Sequence, residues 1–171
     1  MKFAAATALA LLAFAGDLKV GDEVPDVTFK AVCGKELKLA ELNKGEKVVV
    51  VVSWSVECGS TAVSRINEIA RKYAENKKVV LIGLSAYGDS VEKIQEYLKS
   101  KEPGYPVMHD ADRAISKMLG AKRANMTYVI AGGKLFYRGA AMKNGKDKVV
   151  DAIEAALGGK PAPESDQDKA G

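Results

Sequence analysis

Apolar residues in this chain fall into period-two stretches, continuous runs and helical stripes, and the switches between them mark its elements. Val20-Gly21-Asp22-Glu23-Val24 is an extended lead-in that Pro25 keeps out of helix. Val27-Thr28-Phe29-Lys30-Ala31-Val32 alternates like a half-buried strand. Gly34-Lys35 supplies a turn, and Glu36-Leu37-Lys38-Leu39 returns as a second strand. Ala40 to Asn43 reads as a helical turn closed by Gly45. Lys47 to Ser53 is a continuous valine run, too short for a membrane and too β-branched for a good helix. It predicts a central strand buried on both faces.

From Gly59 to Asn76, Val63, Ile66, Ile69, Ala70 and Tyr73 recur at helical spacing. Val79 to Ser85 predicts a second buried strand. Asp89 or Ser90 can cap the next helix, whose stripe is Val91, Ile94, Tyr97 and Leu98. Pro103-Gly104-Tyr105-Pro106 breaks that helix, and Ala114 to Leu119 forms a short one ended by Gly120. Thr127 to Ile130 and Lys134 to Arg138 flank Gly132-Gly133 as a hairpin. Val149, Ile153, Ala156 and Leu157 give a last amphipathic helix. Gly158 to Gly171 is rich in Gly, Pro, Asp and Lys, and reads as a disordered tail from residue 159. The sum is an α/β chain with an N-terminal β-hairpin and a mixed central sheet, helices covering both faces. A β-α-β half followed by a β-β-α half is the thioredoxin architecture.

The first residues follow another logic. Lys2 is basic, Ala4 to Leu12 is a short apolar stretch, and Ala13-Phe14-Ala15 is a small-x-small cleavage site. Residues 1–15 therefore read as a secretory signal, leaving one domain over residues 16–158. A retained anchor or a buried helix is the alternative, although the stretch is short and Ala-rich for a membrane span. Export makes the protein periplasmic or secreted, in an oxidising compartment, with no stable membrane insertion after cleavage. The net charge of +4 is spread along the chain and implies no nucleic-acid surface.

Two cysteines are too few for a disulfide scaffold. Cys33 lies between two strand-like runs and reads as a turn residue, with a Cys33–Cys58 bridge left open. Cys58 stands between a buried strand and a helix start. A thiol reacts as its thiolate, and the first turn of a helix, with unpaired N–H groups and a positive dipole end, stabilises that anion. Gly59 allows close backbone approach, and the Ser60 and Thr61 hydroxyls can bond to the sulfur. Glu57 opposes ionisation if its carboxylate is close, and Arg65, about two turns on, can face the same side. The competing reading of Cys58 is a small buried hydrophobe at a strand end.

Val20 to Phe29 resembles the opening of redoxin domains, the thioredoxin-fold group that contains alkyl hydroperoxide reductase/thiol-specific antioxidant peroxiredoxins and exported thiol-disulfide oxidoreductases. Ser53-Trp54-Ser55 with Cys58 is similar to that group's Phe-Trp-Ala strand end before Trp-Cys-x-x-Cys. Tyr105 to Asp112 resembles its Phe-Pro-Val segment, and Thr127 to Ile130 with Gly133 to Gly139 its closing hairpin. The resemblance spans about residues 18–157 and implies a thioredoxin-like fold with Cys58 as the active thiol. Trp54 then packs beneath the active-site turn, and Ser55 stands in for a peroxiredoxin threonine hydroxyl.

The chain departs from the group where activity resides. Thr61 replaces the resolving cysteine. Asn125 aligns with the thioredoxin-type cis-proline and with the peroxiredoxin arginine, and Arg123, two residues away, is the substitute cation. Members with one cysteine at the helix start resemble this chain most. Some carry a further cysteine after Gly-Lys-Pro, whereas Gly159-Lys160-Pro161 here leads to Lys169-Ala170-Gly171.

The resemblance implies single-cysteine reduction of a peroxide or protein disulfide at Cys58, resolved by an external thiol or thioredoxin-like reductant, without a cofactor. The alternative is a thioredoxin-fold binding module with decayed catalysis. A soft copper site from Cys58, Met108 and His109 is weaker, since redoxin-fold copper chaperones resemble a two-cysteine pattern absent here. His109, the only histidine, gives a Cys–His pair nothing further to rest on, and no metal site is expected.

Overall fold

A computed structural model describes residues 17–57, 60–101, 103–122, 124, 126–140 and 148–165, with backbone alone at 60–63. The expected signal (residues 1–15), Cys58, Arg123, Asn125, the Thr61 side chain and the tail beyond 165 lie outside the described residues.

The N-terminal hairpin pairs β1 (Thr28–Lys30) with β2 (Glu36–Lys38), antiparallel, Phe29 facing inward opposite Leu37. α1 is the single turn Leu39–Leu42. The valine run becomes β3 (Val48–Trp54), every residue buried, followed by α2 (Ser60–Lys72), β4 (Val79–Ser85) and α3 (Val91–Ser100). β5 (Val107–His109) and α4 (Ala114–Met118) precede the hairpin β6 (Met126–Ala131) and β7 (Lys134–Ala140), and α5 (Lys148–Leu157) closes the domain. The five-stranded sheet runs β5-β4-β3-β6-β7. β3 is parallel to β4 and antiparallel to β6.

Strand periodicity divides the core. Val48, Val50, Val52 and Trp54 face one side, where Ile66 and Ile69 of α2, Ile94 of α3 and Ile153 of α5 pack against them. Val49 and Val51 face the other, against Phe29, Leu39, Met118 and Leu119. A strand covered on both faces has no polar positions to spare, which is why its sequence is nearly all valine. Gly132 and Gly133 both take positive φ, the conformation a two-residue hairpin turn between right-twisted strands requires.

Three differences from the sequence reading have physical causes. β5 is a strand of three residues, too short to show a period, and is defined by its parallel pairing with β4. β1 ends at Lys30, because Ala31 turns to bridge Met108 at the sheet edge. α2 ends at Lys72, where bonding tightens and Ala74 N–H donates to the carbonyl of Arg71, three residues back. The described part of the tail lies against the domain. The Ser165 hydroxyl donates to the Arg138 carbonyl of β7 at 2.5 Å, and Lys148 reaches the Glu164 carbonyl at 3.5 Å.

Candidate active site

β3 delivers Trp54 and Ser55 to the carboxyl edge of the sheet, both buried, and the chain turns through Val56 and Glu57. The Ser55 hydroxyl accepts the Glu57 N–H at 3.2 Å, a local serine turn. Trp54 sits edge-on to Tyr97 of α3, with ring centroids 5.4 Å apart and planes at 75°. This is a favoured aromatic geometry that ties the strand end to the helix. The Trp54 indole N–H and the Thr127 hydroxyl of β6 are buried and find no hydrogen-bond partner among the described residues.

The turn is anchored by Asp89, a residue that sequence patterning offered only as a helix cap. Ser90 takes that role, its hydroxyl accepting the Lys93 N–H at 3.2 Å. Asp89 is instead 4% exposed, and its Oδ2 accepts the Val56 N–H at 2.8 Å and the Ser85 hydroxyl at 3.3 Å. Its Oδ1 pairs with Lys93 Nζ at 3.1 Å, and the same ammonium reaches Glu57 Oε1 at 2.8 Å. The Glu57 carboxylate, expected to oppose thiol ionisation, is therefore held by a cation. The hydrogen bonds to Glu57 and then Asp89 raise the Lys93 pKa above its usual value. Nearby, the Ser53 and Tyr87 hydroxyls bond at 3.0 Å, and the Arg113 guanidinium lies 5.2 Å from the Tyr87 ring centre.

Arg65 is engaged with Glu68 on its own helix. Cys33 is exposed, free of any disulfide, and occupies the β1–β2 turn. That turn docks on α3 through Gln95, whose amide donates to the Val32 carbonyl at 2.8 Å. His109, at the end of β5, lines a groove of about 590 Å³ with Lys30, Glu36 and Asp112. Met108 is fully buried in the second core, its side chain packed among apolar residues. Asp110, also buried, accepts the Ser116 N–H of α4 at 2.8 Å.

A family model described as the AhpC/TSA family matches residues 20–143. Among solved structures the chain is similar to a hypothetical protein from Sinorhizobium meliloti, with 20% identity and a TM-score of 0.75 over 88% of this chain and 90% of that one. It is similar to peroxidoxin BcpB from Mycobacterium tuberculosis, with 21% identity and a TM-score of 0.65 over 83% and 97% of the two chains. The pneumococcal exposed lipoprotein thioredoxin from Streptococcus pneumoniae matches with 17% identity and a TM-score of 0.65, over 76% of this chain and 98% of that one. No curated protein matched. The likenesses carry the fold, which is thioredoxin-like, as the element order implied. No described helix is long and apolar enough to cross a membrane.

Proposed function

The chain belongs to the AhpC/TSA family, and on that premise we propose an exported thiol-dependent oxidoreductase that works through Cys58 alone. As thiolate, Cys58 attacks a peroxide or a disulfide. With a hydroperoxide, an S–O bond forms as the O–O bond breaks. The thiol becomes a sulfenic acid, and the departing oxygen takes up a proton and leaves as water or an alcohol. With a disulfide, one S–S bond replaces another and a thiol leaves. Thr61 offers no second thiol, so an external thiol or thioredoxin-like reductant returns Cys58 to its reduced form and is itself oxidised. On this reading Trp54, Ser55, Glu57 and Thr61, with Arg123 and Asn125 from the sequence before β6, are the residues assigned to shape the site. Cys33 stays apart as a turn residue.

The observation that carries this reading is the anchored turn Ser55–Glu57, which leads in sequence through Cys58 and Gly59 to the start of α2 at Ser60. The test is mature protein given peroxide or a disulfide substrate with dithiothreitol, beside Cys58→Ser. Wild type should consume substrate faster, and equal slow rates remove the enzymatic reading. Export is supported by the N-terminal pattern and by the similar exposed lipoprotein thioredoxin. Secreted or periplasmic material should have the mass of a chain starting at Gly16, and an intact N-terminus on exported protein contradicts the cleavage site.

A second reading, a thioredoxin-fold binding module, is favoured by Thr61 at the resolving position. It predicts a Cys58 thiol no more reactive than a free cysteine.

A further inference from the structure

Asp89 and Lys93 belong to no expected site, yet their contacts end on Glu57, one peptide bond from Cys58. Asp89 is buried, and both of its oxygens are committed, one to the Val56 N–H and the Ser85 hydroxyl, the other to Lys93. Lys93 is fixed from three directions. Ser90 caps its backbone N–H, Asp89 holds the ammonium, and Glu57 binds the same ammonium from the turn. An isolated surface pair gains little because two long side chains must be frozen together. Here one partner is already immobile in the protein interior, so Lys93 is pre-placed to meet Glu57.

We propose that Lys93, anchored by the buried Asp89 carboxylate, is a positioning residue that masks the Glu57 carboxylate and thereby allows the adjacent Cys58 thiol to ionise. The inference rests on the reading of Cys58 as the active thiol. A carboxylate beside a thiol disfavours the thiolate, and an ammonium closing on that carboxylate weakens its field. Asp89 adds a negative charge of its own, but it is paired with the same ammonium and bonded to the turn backbone. On α2, the guanidinium of Arg65 is engaged with Glu68. In this proposal Lys93 acts on the thiol through Glu57, so the effect of removing it depends on Glu57 being present.

That dependence is the test. In a Cys33→Ser background, which removes the exposed thiol, the rate of iodoacetamide alkylation of Cys58 is followed against pH for the parent, Lys93→Gln, Glu57→Gln and the double variant. Lys93→Gln should slow alkylation at pH 7 by roughly two- to fivefold, the range of an exposed ion pair, and move the profile to higher pH. Lys93→Arg should restore it, and the loss should vanish when Glu57 is Gln. Raised salt should narrow the gap between parent and Lys93→Gln. An unchanged profile in Lys93→Gln, or an equal loss in the Glu57→Gln background, overturns the proposal. Alkylation needs no turnover. A coupled profile without substrate consumption therefore sinks the enzymatic reading and leaves this inference standing, and turnover without coupling does the reverse.

Discussion

At the scale of single residues, the candidate site depends on a carboxylate that sequence periodicity could not place. Trp54 and Ser55 follow directly from the end of the valine run, and Ser90 follows from the helix it caps. Asp89 was visible only as a polar residue before a helix. Its partner Val56 lies 33 positions earlier, and only the parallel pairing of β3 with β4 brings the two loops together. Replacing Asp89 with Ala leaves the Val56 N–H without its acceptor and the Ser85 hydroxyl without its own. The expected loss is about 2 kcal/mol of unfolding free energy, the scale of a buried hydrogen bond to a charged group. Urea denaturation of Asp89→Ala beside wild type checks it, and an unchanged midpoint would show that the turn holds without its anchor.

Among the elements, legibility tracked length and burial. β3 and β4 were readable because seven consecutive residues with few polar positions leave little choice but a central strand. α2, α3 and α5 were readable from their stripes. β5 was not, since its three residues carry no period and its existence depends on β4. The core between elements carries a direct expectation. Ile82 of β4 is fully buried within the cluster that joins the sheet to α4 and the N-terminal hairpin. Ile82→Ala should cost about 2–5 kcal/mol, the cost of emptying a packed site of this size. Thermal or urea unfolding measures it. A loss well under 1 kcal/mol would mean that the neighbouring side chains collapse into the space. The end of α2 is further tied to α5 by Lys72, 3.2 Å from the Glu154 carboxylate, and by Tyr73 just beyond it, whose hydroxyl donates to the same carboxylate at 2.7 Å.

Across the whole molecule, burial sets the response to alkali. Desolvation pushes the Tyr105 and Tyr128 hydroxyls to higher pKa, and it does so for Tyr73 with help from Glu154. Their folded-state values lie above the unfolded value of about 10, so the neutral forms favour folding. That contribution is intact below about pH 10 and is lost as pH rises through the folded values. Circular dichroism should follow a cooperative alkaline unfolding beginning above about pH 10, and free tyrosine-like titration of a folded chain would contradict the burial. The architecture was legible, β5 apart, because the β-α-β and β-β-α halves impose one arrangement on many sequences. The activity was less so, because the chemistry proposed for Cys58 has Thr61 and Asn125 at positions where the chain departs from the pattern it resembles. The most direct measurement is therefore peroxide and disulfide consumption by mature protein with dithiothreitol, compared with Cys58→Ser. A rate abolished by the substitution is the predicted result, and identical slow rates in the two proteins would contradict the account.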